Sequence, residues 1–399
     1  MSRPNETSLS SKVSDAIAAM PKSPFYKIMD YVKELKLEKE VIYLNVGNPH
    51  FVTPSHIREA AKKALDQGFT YYTPEAGIME LREAIAEKLK KENKIEADPA
   101  TEIFVTNGAQ AALYGALKTL LNYGDEVLIP CPYYPPYRID TDIIGGKPVL
   151  IPFNLGDRLT LEPEEVEKHI TERTKAILIH SPNNPTGGVL TRKNLEDIAE
   201  VAMKHMLPVI TDECYEKFLY EDAEHFSMAS IPGMEDLTIT INSFSKTYSM
   251  TGWRLGYLTA DRSFMNSFLK VHHTINICTN SIAQKAAVAA LTGPQDFFRE
   301  WLSVYKDNRR AVVEGVKKIP SITFAAKPLG TFYAFLDIRK LGMKSYEACE
   351  YFVREAKVVV TPGSGFGPVG EGCIRISYAT QIENIKNAFE NIRAAVEKI

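Results

Sequence analysis

The chain has 399 residues, of which 45% are hydrophobic and 24% are charged, and this ordinary composition excludes a disordered or fibrous protein. The formal net charge is −3, so there is no basic surplus for a nucleic-acid partner. The five cysteines are scattered without a CxxC pair, and their number is odd. This usage argues against a disulfide framework or a zinc ribbon and favours a reducing compartment.

The N-terminal stretch of the chain is polar. Residues 1–24 lack the apolar core of a secretory signal. Nowhere does the chain approach the roughly 18 consecutive apolar residues that a membrane-spanning helix needs. We therefore expect a cytoplasmic protein with no membrane partner.

The middle of the chain alternates helical patterns with short apolar runs. Residues 108–121 and 191–205 predict helices. Four apolar runs predict strands: EVLIP (126–130), KAILIH (175–180), LPVIT (207–211) and LTITIN (237–242). Because the strands alternate with helices, the pattern favours an α/β fold with a mostly parallel sheet and right-handed crossovers.

Each of these four predicted strands runs into a segment that carries aromatic, amide, acidic or lysine side chains. The segments are CPYYPPY (131–137), SPNNPTG (181–187), DECY (212–215) and SFSK (243–246). In open α/β sheets, ligands bind outside the carboxyl ends of the strands. We therefore expect the four segments to form one composite site.

The last third of the chain changes character. From about residue 295, long charged helices alternate with strands, and the strand patterns are GTFYAFLDI (330–338), KVVVTP (357–362) and GCIRISYA (372–379). This pattern predicts a small α+β domain that is completed by the N-terminal segment. The expected division is 1–50 for the N-terminal segment of the small domain, 51–294 for the large domain and 295–399 for the rest of the small domain, with a ligand cleft between the two.

Two other patterns are set aside. GFGPVG (365–370) matches GxGxxG, but Pro368 interrupts it and a strand follows at once, so it predicts a loop and not a dinucleotide site. The eight histidines show neither HExxH nor Cys/His spacing, so we predict no metal site.

Taken one at a time, the residues at the strand ends allow ordinary roles. Gly108 suits a turn, and Tyr134 suits core packing. Asp212 suits a helix cap or an ion pair, and Arg375 suits an exposed strand edge. Taken jointly with Lys246 and Arg254, however, Gly108, Tyr134 and Asp212 supply an anion-binding helix start, a stacking ring, an acid, an amine and a guanidinium fork. A pyridoxal-phosphate enzyme requires this combination.

The motifs TNGAQAAL, PYYPPY, SPNNPTG, DECY and SFSKTYSMTGWRLGY, in that order, resemble those of the class I/II aminotransferases of the fold-type-I pyridoxal-phosphate family. NVGNPHF, YTPEAGIMELR and CIRISYA extend the resemblance to residues 46–379. Within the family, the chain looks most similar to prokaryotic aspartate and broad-specificity aminotransferases. The resemblance implies a large, mostly parallel-sheet domain that binds the cofactor and a smaller, discontinuous α+β domain.

The resemblance also implies a role for each matching residue. Lys246 would bond covalently to pyridoxal 5'-phosphate and shuttle a proton, Asp212 would keep the ring nitrogen protonated, and Tyr215 would bond the 3'-oxygen. The other residues implied to bind the cofactor are Gly108, Ala109, Gln110, Tyr134, Asn184, Ser243, Ser245, Arg254 and, across a homodimer with shared active sites, Tyr72 of the partner subunit. The residues implied to bind the substrate are Gly47, Tyr134, Asn184 and Arg375.

The implied reaction moves an amino group between an L-amino acid, with aspartate the first choice, and 2-oxoglutarate. The sequence identifies no arginine or lysine as the second cation that an aspartate side chain needs, and the tyrosines at 71–72 and 133–137 suit an aromatic pocket. Alanine and aromatic amino acids therefore remain alternative donors. A lyase or synthase on the same fold would use the same cofactor residues. A non-enzymatic ligand sensor would usually add a basic helix-turn-helix, and residues 1–45 show no such pattern.

Overall fold

The computed structural model describes residues 9–18, 20 and 22–399. In chain order, the strands are β1 (Ile42–Tyr43), β2 (Ile103–Thr106), β3 (Glu126–Cys131), β4 (Lys147–Pro152), β5 (Thr174–His180), β6 (Val209–Asp212), β7 (Thr238–Ser243), β8 (Gly256–Thr259), β9 (Thr323–Ala326), β10 (Tyr333–Asp337), β11 (Val358–Val359), β12 (Thr361–Pro362) and β13 (Cys373–Ser377). The α-helices are α1 (Asp15–Ala18), α2 (Pro24–Glu34), α3 (Ser55–Asp66), α4 (Met79–Lys88), α5 (Ala109–Leu120), α6 (Pro136–Ile144), α7 (Pro163–Lys168), α8 (Arg192–Lys204), α9 (Arg262–Ile275), α10 (Ser281–Thr292), α11 (Asp296–Lys317), α12 (Ser345–Tyr351) and α13 (Ile382–Val396).

Seven strands form one sheet in the order β2-β8-β7-β6-β5-β3-β4. The five strands from β7 to β4 are parallel, and β8 is antiparallel to both of its neighbours. Successive residues of these strands belong to two different buried clusters: Leu128 and Ile177 pack on one face, Ile129 and Leu178 on the other. Both faces of the sheet are therefore covered, as a parallel sheet requires. The predicted α/β class with a mostly parallel sheet is confirmed.

The four predicted strands are β3, β5, β6 and β7, and they are direct neighbours in the sheet. The sequence interpretation missed β4, which lies between β3 and β5 in the chain but pairs outside β3 at the sheet edge. The carboxyl ends of the four strands therefore stay adjacent. The two predicted helices are also present, as α5 and α8.

A second sheet is formed by the C-terminal part of the chain, in the order β12-β13-β10-β9, and all its pairs are antiparallel. The N-terminal segment joins this part, because β1 pairs in parallel with β11 and because Ile28 and Val32 of α2 lie in the same buried cluster as Phe352. These contacts suit the predicted discontinuous small domain. Its boundaries stay a prediction, and residues 1–8, 19 and 21 of the 1–50 segment lie outside the described residues.

Two details of this region differ from or refine the sequence pattern. The run KVVVTP is not one strand but two, β11 and β12, which separate at Val360 and join different sheets. GFGPVG is a loop with two short 3₁₀ turns, as predicted.

Among the helices of the described residues, none combines the length and the apolar character needed to cross a bilayer.

Candidate active site

A cleft of about 570 Å³ lies at the carboxyl ends of the central strands. All four predicted strand-end segments contribute to its wall, through Tyr134, Asn184, Asp212 and Lys246, and Arg375 of β13 joins them. The other predicted residues in the wall are Gly47, Ala109, Gln110, Tyr215, Ser243, Ser245 and Arg254. Gly108 and Tyr72 are the two predicted residues outside it. The structure thus brings most of the predicted set together, while their individual roles stay predictions.

Lys246 follows β7 and points its amine into the cleft. Its Nζ donates a hydrogen bond to the backbone oxygen of Gly47 at 2.7 Å. The rings of Tyr215 and Phe332 lie close to the amine, with centroids 5.7 and 5.8 Å from Nζ. A carbonyl and two aromatic rings surround the amine in place of a carboxylate, an environment that suits a lysine meant to attack an aldehyde.

Asp212 is the last residue of β6, and both of its carboxylate oxygens accept hydrogen bonds. Oδ1 accepts the backbone N–H of Cys214 at 3.0 Å, and Oδ2 accepts the hydroxyl of Tyr137 at 2.8 Å. Burial raises the pKa of Tyr137 well above its ordinary value, so the phenol keeps its proton and acts as the donor. His180 lies beside them because it is the pairing partner of Asp212 between β5 and β6, and burial lowers its pKa, which keeps the imidazole neutral.

The sequence interpretation missed Tyr137 and His180. A signal for Tyr137 was available, because it follows Tyr134 by three residues within CPYYPPY, at the start of α6. The T-shaped contact between these two rings, with centroids 5.5 Å apart, places one at the cleft wall and the other against Asp212. For His180 the signal was its place as the last residue of a strand whose neighbour ends in Asp212.

Tyr215 contacts a second tyrosine that was not predicted from the sequence. Its hydroxyl lies 3.0 Å from that of Tyr333, which begins β10. Burial, followed by the neighbouring Tyr333, raises the pKa of Tyr215 well above its ordinary value, so its hydroxyl is protonated. Tyr333 also explains the glycine of NVGNPHF, since a Cβ at Gly47 would lie 2.0 Å from the Tyr333 hydroxyl.

Arg375 is only 7% exposed, yet none of its hydrogen-bond partners is a carboxylate. Nη1 donates to the side-chain oxygen of Asn184 at 3.0 Å and Nη2 to the backbone oxygen of Asn45 at 2.7 Å, while Nε has no partner in the part of the chain that the structure describes. The guanidinium carbon lies 4.4 Å from the ring centroid of Tyr333. Burial lowers the pKa of Arg375. An enclosed cation of this kind is stabilised by an incoming carboxylate.

An anion cradle lies where α5 begins. Gly108 precedes the helix with φ +79°, and a Cβ there would lie 2.5 Å from Nη2 of Arg254. A Cβ at Gly256 would lie 2.6 Å from the backbone nitrogen of Ala109. The two glycines therefore let a guanidinium lie against the free N–H groups of a helix N-terminus, an arrangement that suits a phosphate.

The remaining predicted phosphate residues flank this cradle. The Ser243 hydroxyl accepts the backbone N–H of Ser245 at 3.0 Å. The side-chain amide of Gln110 donates to Asp140, and its backbone N–H at the start of α5 remains to bind an anion. Burial raises the pKa of Asp140 to about 7.

Tyr72 lies apart from the cleft. It is 79% exposed, in the segment between α3 and α4. Its predicted contact requires a second subunit and stays a prediction.

Comparisons with known proteins agree on one family. The model of the family "Aminotransferase class I and II" matches residues 39–392. The chain is 43% identical over 388 residues to an aspartate aminotransferase of Pyrococcus abyssi, covering 97% of this chain and 98% of the relative. It is 41% identical to aromatic-amino-acid aminotransferase 2 of Thermococcus litoralis, with the same coverage. A solved alanine aminotransferase from Pyrococcus furiosus superposes with a TM-score of 0.92 at 34% identity, covering 97% of this chain and 100% of that one.

Proposed function

This chain belongs to the class I and II aminotransferases, and from that premise we propose that it moves the amino group of L-aspartate to 2-oxoglutarate with pyridoxal 5'-phosphate held on Lys246. Family membership makes the protein a transaminase; the donor, the acceptor and the cofactor are the proposal. One observation carries it: Lys246, Asp212 and two arginines that have no carboxylate partner among the described residues converge in a single cleft.

The residues in the cleft fit pyridoxal phosphate. Arg254 and the start of α5 form a cradle, and Gly108 and Gly256 leave it open because they have no Cβ. An open cradle of this kind suits the phosphate group. Asp212 is a carboxylate with both oxygens oriented, which suits a protonated ring nitrogen. When bound, the cofactor supplies the electron sink that makes the α-proton of the substrate acidic.

The chain's own groups then have separate tasks. The Nη1 and Nη2 atoms of Arg375 bind and orient the substrate α-carboxylate. The Nζ of Lys246 donates a hydrogen bond to the backbone oxygen of Gly47. It takes the proton from the α-carbon of the substrate and returns it later in the transfer. Asp212 keeps a proton on the ring nitrogen because its negative charge is fixed by Tyr137 and the Cys214 N–H.

Two kinds of donor have separate support. Aspartate is supported by relatives such as that of Pyrococcus abyssi, which is named an aspartate aminotransferase. An aromatic donor is the second candidate, and the cleft wall favours it. Among the described residues of that wall, the lysines and arginines are Lys246, Arg254 and Arg375, and each already has a task. Within the described wall no cation is left for a second carboxylate, whereas Phe25, Tyr26, Leu113, Ile139 and Phe366 offer apolar lining.

A homodimer with shared sites and a cytoplasmic location are also part of the proposal. The exposed side chains of Tyr71, Tyr72, Ile275 and Ile277 lie on neighbouring segments, since His273 pairs with Glu75. Exposed apolar groups that cluster in this way commonly mark an interface. All five cysteines are free, which supports a reducing compartment.

The test is a visible absorbance spectrum of the purified protein with one amino acid and no oxo acid. With L-aspartate, we expect the visible band of the lysine-bound cofactor to disappear as oxaloacetate is released. A band that aspartate leaves unchanged but L-tyrosine removes, with release of the matching 2-oxo acid, would establish the second candidate. Free ammonia would indicate a lyase. The absence of a visible band, even after pyridoxal phosphate is added, would contradict the assignment of Lys246.

A further inference from the structure

Behind the end of β6 lies a buried polar cluster that does not line the cleft. Its members, which we call the Glu213 cluster, are Lys88, Asn93, Glu213, Glu216, His225 and Ser227. Glu213 and Ser227 are each 1% exposed and Asn93 is 4% exposed. Enclosing two carboxylates is costly unless they are paired and hydrogen-bonded, so the fold retains this cluster against a substantial penalty.

The cluster is organised by the side-chain amide of Asn93. Its Nδ2 donates to Glu216 Oε2 at 2.7 Å and to the Ser227 hydroxyl at 2.8 Å, and that hydroxyl donates to Glu213 Oε2 at 2.6 Å. Both amide hydrogens are thereby used. Asn93 closes a π-helical turn, Leu89–Asn93, that continues α4 and is followed by Lys94 with φ +61°. Such turns are rare and frequently occur at functional sites.

The cluster already contains its own cation. Glu213, Glu216 and His225 have ligand atoms within 4.8 Å of one another, but the ammonium of Lys88 pairs with Glu216. Although burial acts to raise it, Lys88 and the other partners hold the pKa of Glu216 at about 2. These carboxylates are therefore satisfied by protein donors, and the arrangement points to a structural task and not to a bound ion.

The position of the cluster in the chain defines that task. Glu213 directly follows Asp212, and Glu216 directly follows Tyr215. Residues 212–216 thus present Asp212 and Tyr215 to the cleft and the two glutamates to the opposite side. The ladder of β6 is no longer available here, since the Glu213 N–H makes the last bond to Ile241 and the next residues turn back on themselves. Side-chain anchors must then fix this segment.

We propose that Asn93, Glu213 and Glu216 are positioning residues, which hold residues 212–216 so that Asp212 and Tyr215 meet the cofactor ring correctly. The inference rests on the proposed function, because it assumes that Asp212 faces the ring nitrogen. Small displacements of such groups are expensive, since a misplacement of about 1 Å can cost on the order of a hundredfold in rate. The anchoring runs from α4, through Asn93, to the end of β6.

The test compares Asn93→Ala with a matched control, Asn194→Ala. Asn194 is also a buried asparagine, and its amide bonds both backbone groups of Leu161 at 3.0 and 2.7 Å, away from the cleft wall. Three quantities are measured: the melting temperature of the cofactor-free protein, the midpoint of the pH titration of the visible band, and kcat with saturating donor. We expect both variants to have a lower melting temperature than the wild-type protein. Only Asn93→Ala should shift the titration midpoint and lower kcat, by about tenfold to a hundredfold.

Equal titration midpoints and equal kcat values in the two variants, at a temperature where both are folded, would overturn the inference. If Asn93→Ala does not fold, Ser227→Ala replaces it, since that change removes only the hydroxyl that donates to Glu213. Its midpoint should shift in a measurable way, and an unchanged midpoint would again overturn the inference. A wild-type protein without a visible band would instead contradict the proposed function, so the two failures are distinct.

Discussion

The carboxylate of Asp212 has one donor on each oxygen, and these donors differ in kind. The Cys214 N–H belongs to the backbone and is retained in every substitution except proline, whereas the Tyr137 hydroxyl belongs to a buried side chain. The contribution of the charge and that of its orientation can therefore be separated at the level of single residues.

We expect Asp212→Asn to lower kcat by at least about a thousandfold and Tyr137→Phe by only about tenfold to a hundredfold. An amide cannot keep the ring nitrogen protonated, whereas loss of one hydrogen bond to a charged group costs roughly 1.5–3 kcal/mol. Steady-state kcat at saturating donor measures both. A kcat of Asp212→Asn close to the wild-type value would mean that another group protonates the ring.

At this scale, the sequence predicts residues that lie in compact motifs and misses those placed by distant packing. Asp212 and Lys246 stand directly after apolar runs and could be identified from the chain alone. Tyr333 could not, because it contacts Tyr215 across 118 positions and lies on a strand of the other sheet. Asn45 binds Arg375 through its backbone oxygen, and a backbone contact does not restrict which residue type stands at that position.

Among the elements, the start of α5 shows how backbone geometry makes a binding site. Gly108 adopts a left-handed conformation, and the guanidinium of Arg254 occupies the space that a side chain would need. Gly342 provides a comparison, since it has a similar φ of +71° but no atom within 4 Å of an added Cβ. The ψ angles differ, 164° at Gly108 and 11° at Gly342, so a substitution costs more conformational energy at Gly108, and of the two positions it is the one where the added Cβ also collides with Arg254.

We expect Gly342→Ala to lose about 1 kcal/mol of stability from its left-handed backbone, and Gly108→Ala to lose more, on the order of 2–3 kcal/mol, because its combination of φ and ψ is nearly restricted to glycine. Gly108→Ala should in addition raise the Kd for pyridoxal phosphate by tenfold or more, because the added methyl group displaces Arg254 from the helix start. Titration of the cofactor-free proteins with pyridoxal phosphate measures the Kd, and thermal melting measures the stability. Equal Kd values in the two variants would show that the cradle does not hold the phosphate.

The elements that the sequence failed to predict have physical explanations. β4 contains Pro148 and Pro152, which interrupt a strand pattern, and an edge position tolerates them because one side of the strand lacks a partner. KVVVTP has a continuous apolar pattern, but its two halves pair with β1 and with β13. Strand partners of this kind are selected by tertiary packing, which local composition does not encode.

For the whole molecule, the open question is whether one chain makes a complete site. The cleft wall of a single chain contains the lysine, the acid and both arginines, but Tyr72 lies outside it and is largely exposed. If Tyr72 reaches the phosphate of the partner subunit, each site depends on two chains. Subunits with different defects can then restore one another.

Hybrid dimers of Lys246→Ala and Tyr72→Ala subunits, isolated with two affinity tags and assayed at limiting cofactor, distinguish the two arrangements. We expect each parent dimer to be impaired, because one lacks the reactive amine and the other binds the phosphate weakly. If Tyr72 acts across the interface, both defects fall in one site of the hybrid and the other site is intact, so the hybrid should recover about half of the wild-type activity.

A hybrid of Lys246→Ala with Tyr123→Ala is the control for assembly. Tyr123 is also an exposed tyrosine, at 93%, and lies outside the cleft wall, so this hybrid should show half activity whichever arrangement holds. If the control recovers and the Tyr72→Ala hybrid does not, each of its sites carries one defect. Tyr72 then serves the site of its own chain, and the proposed sharing of active sites is wrong. When the Tyr72→Ala parent is impaired, recovery in both hybrids requires that a tyrosine distant from its own cleft completes the site of the partner. A Tyr72→Ala parent with wild-type activity would mean that Tyr72 serves no site.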